Sequence, residues 1–142
     1  AEILEMNFAD TDEIIKSGTG RTAEEIILSN GEEVFRNFEY EAVAFAGKMH
    51  GTVISTGGGA VENEKNFYPL KQNGVIIWLK RDTEELVLSG RPLTGTKERA
   101  EKVYEMRRGK YQSFCDISVY SKKTVEDTAK AAAEKLKEAN LL

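Results

Sequence analysis

The sequence predicts an α/β domain of three layers, a parallel sheet with helices on both faces. Two observations point there: short β-branched runs alternate with longer amphipathic segments, and the helical segments carry their own start and stop signals. A third sets the scale, because 142 residues make one domain, read here as residues 1–142, and suffice to bury a core without disulfides or a structural metal.

The strand candidates are residues 52–55 ("TVIS"), 75–80 ("VIIWLK") and 117–119 ("ISV"), with a shorter one ending at Phe8, just before "ADTD". Between them lie the helices. "TAEEIILSNG" opens on a capping box, Thr22 with Glu25, and closes on Asn30-Gly31. Residues 32–49 place Phe35, Phe38, Ala42, Phe45 and Met49 at spacings of three and four, an apolar stripe expected to face the sheet, and His50 is expected to cap that helix. "NEKNFYPLKQNG" reads as a weaker helix that Pro69 bends or ends. The last helix, "TVEDTAKAAAEKLKEA", has Thr124 as its N-cap and acids in its first turn.

Composition narrows the function. The net charge of −4 leaves no basic field for nucleic acid or an anionic membrane, so a small bound anion must be captured by individual arginines. One cysteine (Cys115) and one histidine (His50) exclude a disulfide framework and a Cys/His zinc site. That usage and the lack of a long apolar run predict a cytoplasmic protein without a membrane span. Cys115 reads as buried packing at the start of a strand.

Four stretches bear on chemistry. "GTVISTGGGA" ends a strand in Gly57, Gly58 and Gly59, where ligands sit in open α/β sheets and where bare backbone N–H groups can approach them; a plain tight turn is the other reading. "FADTD" sets Asp10 and Asp12 two apart at a strand's end, so that both side chains would point the same way, although D-x-D is also a common turn. Arg36, in "GEEVFRNFE", lies at the edge of an apolar helical face with Glu32 and Glu39 as helical neighbours. Residues 89–108, rich in Gly, Lys and Arg, suit a mobile loop closing over an anion, or an ordinary solvated connection. "SGTGRT" at 17–22 does not fit a phosphate loop and reads as a turn before the capped helix.

Taken together, Asp-Thr-Asp, Gly-Glu-Glu-x-Phe-Arg-x-x-Glu, Ile-Ser-Thr-Gly-Gly-Gly-Ala, Arg-Pro-Leu and Arg-x-x-x-Tyr-x-x-x-x-Asp, in this order, resemble shikimate kinase. The resemblance implies a P-loop kinase fold and transfer of the γ-phosphoryl group of MgATP to the 3-hydroxyl of shikimate, a step of aromatic amino-acid biosynthesis. It assigns Asp12 to the substrate hydroxyls as positioner and base, and Asp10 to magnesium through water. Arg36 and Arg107 would hold the shikimate carboxylate, and the backbone of Gly57, Gly58 and Gly59 would meet the ring. Arg91, in a lid of residues 89–108, would reach the transferring phosphoryl group. Phe35 would form a wall of the pocket or belong to the core.

The family opens with a strand, a G-x-x-x-x-G-K-[ST] loop and a long helix, about 25 residues that "AEILEMNF" does not represent. The chain as written is therefore expected to be inactive without that loop. "RRGKY" also stands where the family has Arg-x-Pro-Leu-Tyr, which leaves Arg107 and Arg108 as rivals for one role. Two other readings stand beside the kinase, which is expected to be a monomer: a non-catalytic module that keeps the carboxylate and polyol pocket without ATP, and an unrelated small-molecule kinase of the same fold.

Overall fold

A computed structural model describes residues 1–81 and 97–142, in two compact units, Ala1–Gly74 and Val75–Leu142. In the first, strand β1 (Asn7–Asp10) pairs in parallel with β2 (Thr52–Ser55), from Asn7 opposite Thr52 to Asp10 opposite Ser55. Parallel neighbours need a long crossover. Here it consists of three helices, α1 (Thr11–Thr19), α2 (Ala23–Asn30) and α3 (Glu32–Ala46). Ile15, Ile26, Phe35 and Ala42 form their shared core, with Ile14, Ala23, Ile27 and Phe38 packed around it.

Local signals explain the boundaries. The Asp10 carboxylate caps α1, accepting from the N–H groups of Asp12 (2.8 Å) and Glu13 (3.4 Å). Gly20 closes the same helix in the left-handed region at φ +71°, its N–H reaching the Lys16 carbonyl, so "SGTGRT" is a junction between helices. Arg21 secures it by donating to Asn30 Oδ1 at 2.8 Å. The capping box of α2 is complete: Thr22 N–H donates to Glu25 Oε2 at 2.7 Å, and Glu25 N–H to Thr22 Oγ1 at 3.2 Å.

Three expectations in this unit need correction. β1 continues past Phe8 to Asp10. α3 stops at Ala46, four residues before His50, and buries Phe35, Glu39, Ala42, Val43 and Ala46, while Phe45 is 57% exposed. Phe35, Phe38 and Ala42 of the expected stripe do pack into the core, whereas Phe45 lies outside it and Glu39, Val43 and Ala46 complete the buried face. Pro69 does not end its helix: it is the third residue of α4 (Phe67–Lys71), within the first turn, whose N–H groups have no partner inside the helix.

α3 and α4 meet at Gly47. A Cβ there would lie 2.9 Å from the Pro69 carbonyl carbon and collide with its oxygen, both of them backbone atoms.

In the second unit β3 (Ile77–Lys80) pairs in parallel with β4 (Ile117–Tyr120), and α5 (Lys97–Phe114) lies between them in sequence. Asp116 Oδ2 accepts from Ile76 N–H at 2.8 Å and fixes the entry to the ladder. The helix α5 takes up the C-terminal part of the segment read from composition as a loop. Ala100 and Phe114 are buried, and Tyr111 stacks on Trp78 with ring centroids 5.4 Å apart. Lys80 places its Nζ 4.6 Å from the Trp78 ring centroid and 5.3 Å from that of Tyr120. The last helix, α6 (Val125–Glu138), has the expected cap, Thr124 accepting from Asp127 N–H. Cys115 is half-buried just before β4.

Two measurements check this packing. Gly47→Ala should lower the unfolding free energy by about 1–3 kcal/mol in chemical denaturation, because backbone must move to admit the methyl group. Gly18→Ala, in α1 with open space around it, should instead raise stability by about 0.5–1 kcal/mol.

The capping box has a pH signature. Hydrogen bonds from the Thr22 backbone and side chain hold the Glu25 carboxyl below its ordinary pKa. Its contribution to stability is therefore complete above the ordinary glutamate value and is lost as pH falls through the lowered one. Unfolding free energy measured against pH should fall less steeply in this acid range for Glu25→Gln than for the parent.

Candidate active site

The carboxyl ends of β1 and β2 lie side by side, and the residues that follow each strand build one site. After β1 the chain turns directly into α1, so Asp12 belongs to a helix's first turn. The strand-like alternation expected for Asp10 and Asp12 does not hold: Asp10 is the cap, and Asp12 projects from the helix it caps. After β2, residues 57–59 cross in front of α3. None of these three glycines has a positive φ. At Gly59 the requirement is space.

The neighbours show why. A Cβ on Gly59 would lie 2.8 Å from the guanidinium carbon of Arg36 and closer still to its nitrogens. One on Gly57 would lie 3.4 Å from Glu39 Oε1 and 3.8 Å from Asp12 Oδ1. The glycine run thus brings bare backbone against Arg36, Glu39 and Asp12 at once.

Arg36 is held from both sides. Its Nη1 donates to Glu39 Oε2 and its Nη2 to Glu32 Oε1, each at 2.8 Å. Glu39 is 1% exposed, the Arg36 side chain 14% and Glu32 50%, so the first pair is buried and the second lies at the rim. Burial works against the charged guanidinium, but the hydrogen bonds it donates to Glu39 and then Glu32 outweigh it and raise the Arg36 pKa. The guanidinium also lies over the Phe35 ring, 5.3 Å from its centroid. Phe35 itself is a buried member of the helical core.

Glu39 and Glu32 carried no role in the sequence reading beyond being helical neighbours of Arg36. The signal was present in their spacings of three and four residues from Arg36, which put all three on one side of α3.

Arg107 lies in the second unit, on α5, and is half-buried, whereas Arg108 is exposed. Four residues on, Tyr111 occupies the same helical face as Arg107 and is anchored on Trp78. Arg91 lies outside the described residues. Among the described residues no group of three or more His, Cys, Asp or Glu side chains could hold a metal ion, and no helix is long and apolar enough to cross a membrane.

A carboxylate, an ion-paired guanidinium and a glycine turn at the carboxyl ends of parallel strands fit an α/β enzyme acting on a small polar ligand. Comparison with known proteins makes the class specific. The family model for shikimate kinase matches residues 1–140. A shikimate kinase of Caldanaerobacter subterraneus subsp. tengcongensis is 36% identical over 137 residues, which cover 91% of this chain and 80% of the relative. One of Symbiobacterium thermophilum is 34% identical, with 97% and 86% covered. Among solved structures, shikimate kinase from Acinetobacter baumannii in complex with shikimate superposes with a TM-score of 0.87 at 26% identity, covering 99% of this chain and 82% of the other. That from Aquifex aeolicus gives 0.83 at 28%, covering 99% and 85%.

The chain belongs to the shikimate kinase family and has its P-loop kinase type of α/β fold. It is accordingly an ATP-dependent kinase, and neither the binding module without catalysis nor the unrelated small-molecule kinase is favoured.

The buried ion pair can be tested by stability alone. Glu39→Ala, which leaves a largely buried guanidinium with only its partner at the rim, should cost about 3 kcal/mol in denaturant unfolding. Glu32→Ala, at the rim, should stay within about 1 kcal/mol of the parent.

Proposed function

We infer that this protein transfers the γ-phosphoryl group of ATP to the 3-hydroxyl of shikimate, as a cytoplasmic monomer, and that the site on the first unit orients the acceptor. The observation that carries the reading is the clamped Arg36 against the bare backbone of Gly59, with Asp12 beside Gly57.

The chemistry follows from the parts. A guanidinium has five N–H donors in a planar fork, and two of those on Arg36 hold the glutamates. The rest suit a carboxylate. Two glutamates against one arginine leave that group with net negative charge, so Arg36 contributes direction more than attraction. A second cation is needed for an anionic substrate, and Arg107 is the residue assigned to it. The backbone of Gly57, Gly58 and Gly59 offers polar groups to ring hydroxyls at close range.

In the reaction the 3-hydroxyl oxygen attacks the γ-phosphorus, and the bond from that phosphorus to the bridging oxygen of ATP breaks. The hydroxyl proton passes to the Asp12 carboxylate, giving shikimate 3-phosphate and ADP. Arg91 is assigned to the charge on the transferring group. Magnesium fits Asp10 through water: a hard carboxylate oriented by its own cap suits an ion that keeps most of its waters, and no cage of carboxylates is required. When bound with ATP, the ion neutralises phosphate charge.

ADP release dependent on shikimate by the full-length protein tests the reaction, and its absence would overturn the reading. Arg36→Lys keeps the charge but loses the fork, and should raise the KM for shikimate about 10- to 100-fold. Arg107→Gln should raise it comparably, whereas Arg108→Gln should leave it within about twofold if the half-buried arginine is the ligand.

A further inference from the structure

Asn66 lies outside every motif that carries the family resemblance, yet it is fully buried, with Ala60 and Val61 also buried nearby in the chain. It stands at the N-cap position of α4, where an asparagine side chain would ordinarily accept from the helix's own N–H groups, and it makes no such bond. Instead its Nδ2 donates to the Ala60 carbonyl at 2.8 Å, six residues back. Its Oδ1 is buried without a partner. An apolar side chain of similar size would avoid that cost, so the amide is accounted for by what only its donor does.

That donor fixes the glycine turn. Ala60 N–H donates to the Gly57 carbonyl at 3.0 Å and Glu62 N–H to the Gly59 carbonyl at 2.9 Å, which closes residues 57–62 into one compact unit. Asn66 ties this unit, through Ala60, to the start of α4. Gly59 has no clearance against the Arg36 guanidinium, so a small shift of the turn displaces either the arginine or the backbone beside it.

We propose that Asn66 is a positioning residue for the acceptor site: through Ala60 it sets the height of residues 57–59 against Arg36. The inference rests on the reading of that site as the shikimate pocket. It predicts an effect confined to one substrate, since a displaced glycine turn alters the acceptor pocket and not the nucleotide.

The test is steady-state kinetics of the full-length protein with each substrate varied in turn. Asn66→Leu keeps the volume and removes the donor. It should raise the KM for shikimate about fivefold or more while the KM for ATP stays within about twofold. Should that variant not fold, Asn66→Ser, smaller and too short to reach Ala60, is read in the same way. Unchanged constants, or a parallel rise in both KM values, would overturn the proposal, the second because it marks general loosening. Arg36→Ala in the same assay separates the two layers. If it raises the KM for shikimate and Asn66→Leu does not, the pocket stands and the role of Asn66 falls. If Arg36→Ala leaves that KM unchanged, the pocket reading fails and this inference with it.

Discussion

The Glu39 carboxylate is almost wholly removed from water, and the Arg36 guanidinium bonded to it is nearly so. A carboxylate in that position is tolerable only with a cation in contact, and the cation in turn has few places to go. The pair therefore fixes the guanidinium on one side of α3, and the glycine turn is shaped to what remains. Glu32, bonded to the other end of the fork but half in solvent, limits rotation of the guanidinium at small energetic consequence. The site is organised from the protein interior outward, with the buried acid as the reference point.

This ordering bears on two of the three glycines. Gly57 lies against two carboxylates and Gly59 against the guanidinium. A methyl group at position 57 would meet oxygens at ordinary contact distance, whereas one at 59 has no room at all. Steric demand is graded along a run that looks uniform in sequence.

Much of the first unit was legible beforehand, since caps and turns are local. Thr22 with Glu25 and Asn30-Gly31 act as local chemistry dictates, as does Thr124 in the second unit. Errors arose where tertiary packing overrode pattern. Phe45 drew the expected face of α3 to one side, although Val43, Ala46 and one glutamate complete the buried face begun by Phe35 and Ala42. Asp12 was read with strand geometry because the strand precedes it, yet an Asp at position 10 followed by acids in the next turn is also the signature of a helix start. The helix α5 escaped notice because it is polar nearly all round and its anchor is a pair of tyrosines, Tyr104 and Tyr111, seven residues apart on Trp78. The function was more legible than the geometry: the order of the motifs pointed to the family, while the roles of Glu39 and Asn66 needed coordinates.

The parallel ladder of β1 and β2 has a consequence for how this chain can change. Asp12 and Gly57 stand two residues beyond Asp10 and Ser55, which face each other across the ladder. The two strands therefore work as a ruler whose graduations are single residues, about 3.3 Å each. An inserted or deleted residue within 52–59 would slide one half of the site past the other by that amount, and no side-chain adjustment spans such a step. The connection at 48–50 comes before the ruler begins, so length variation there is absorbed ahead of the first paired residue.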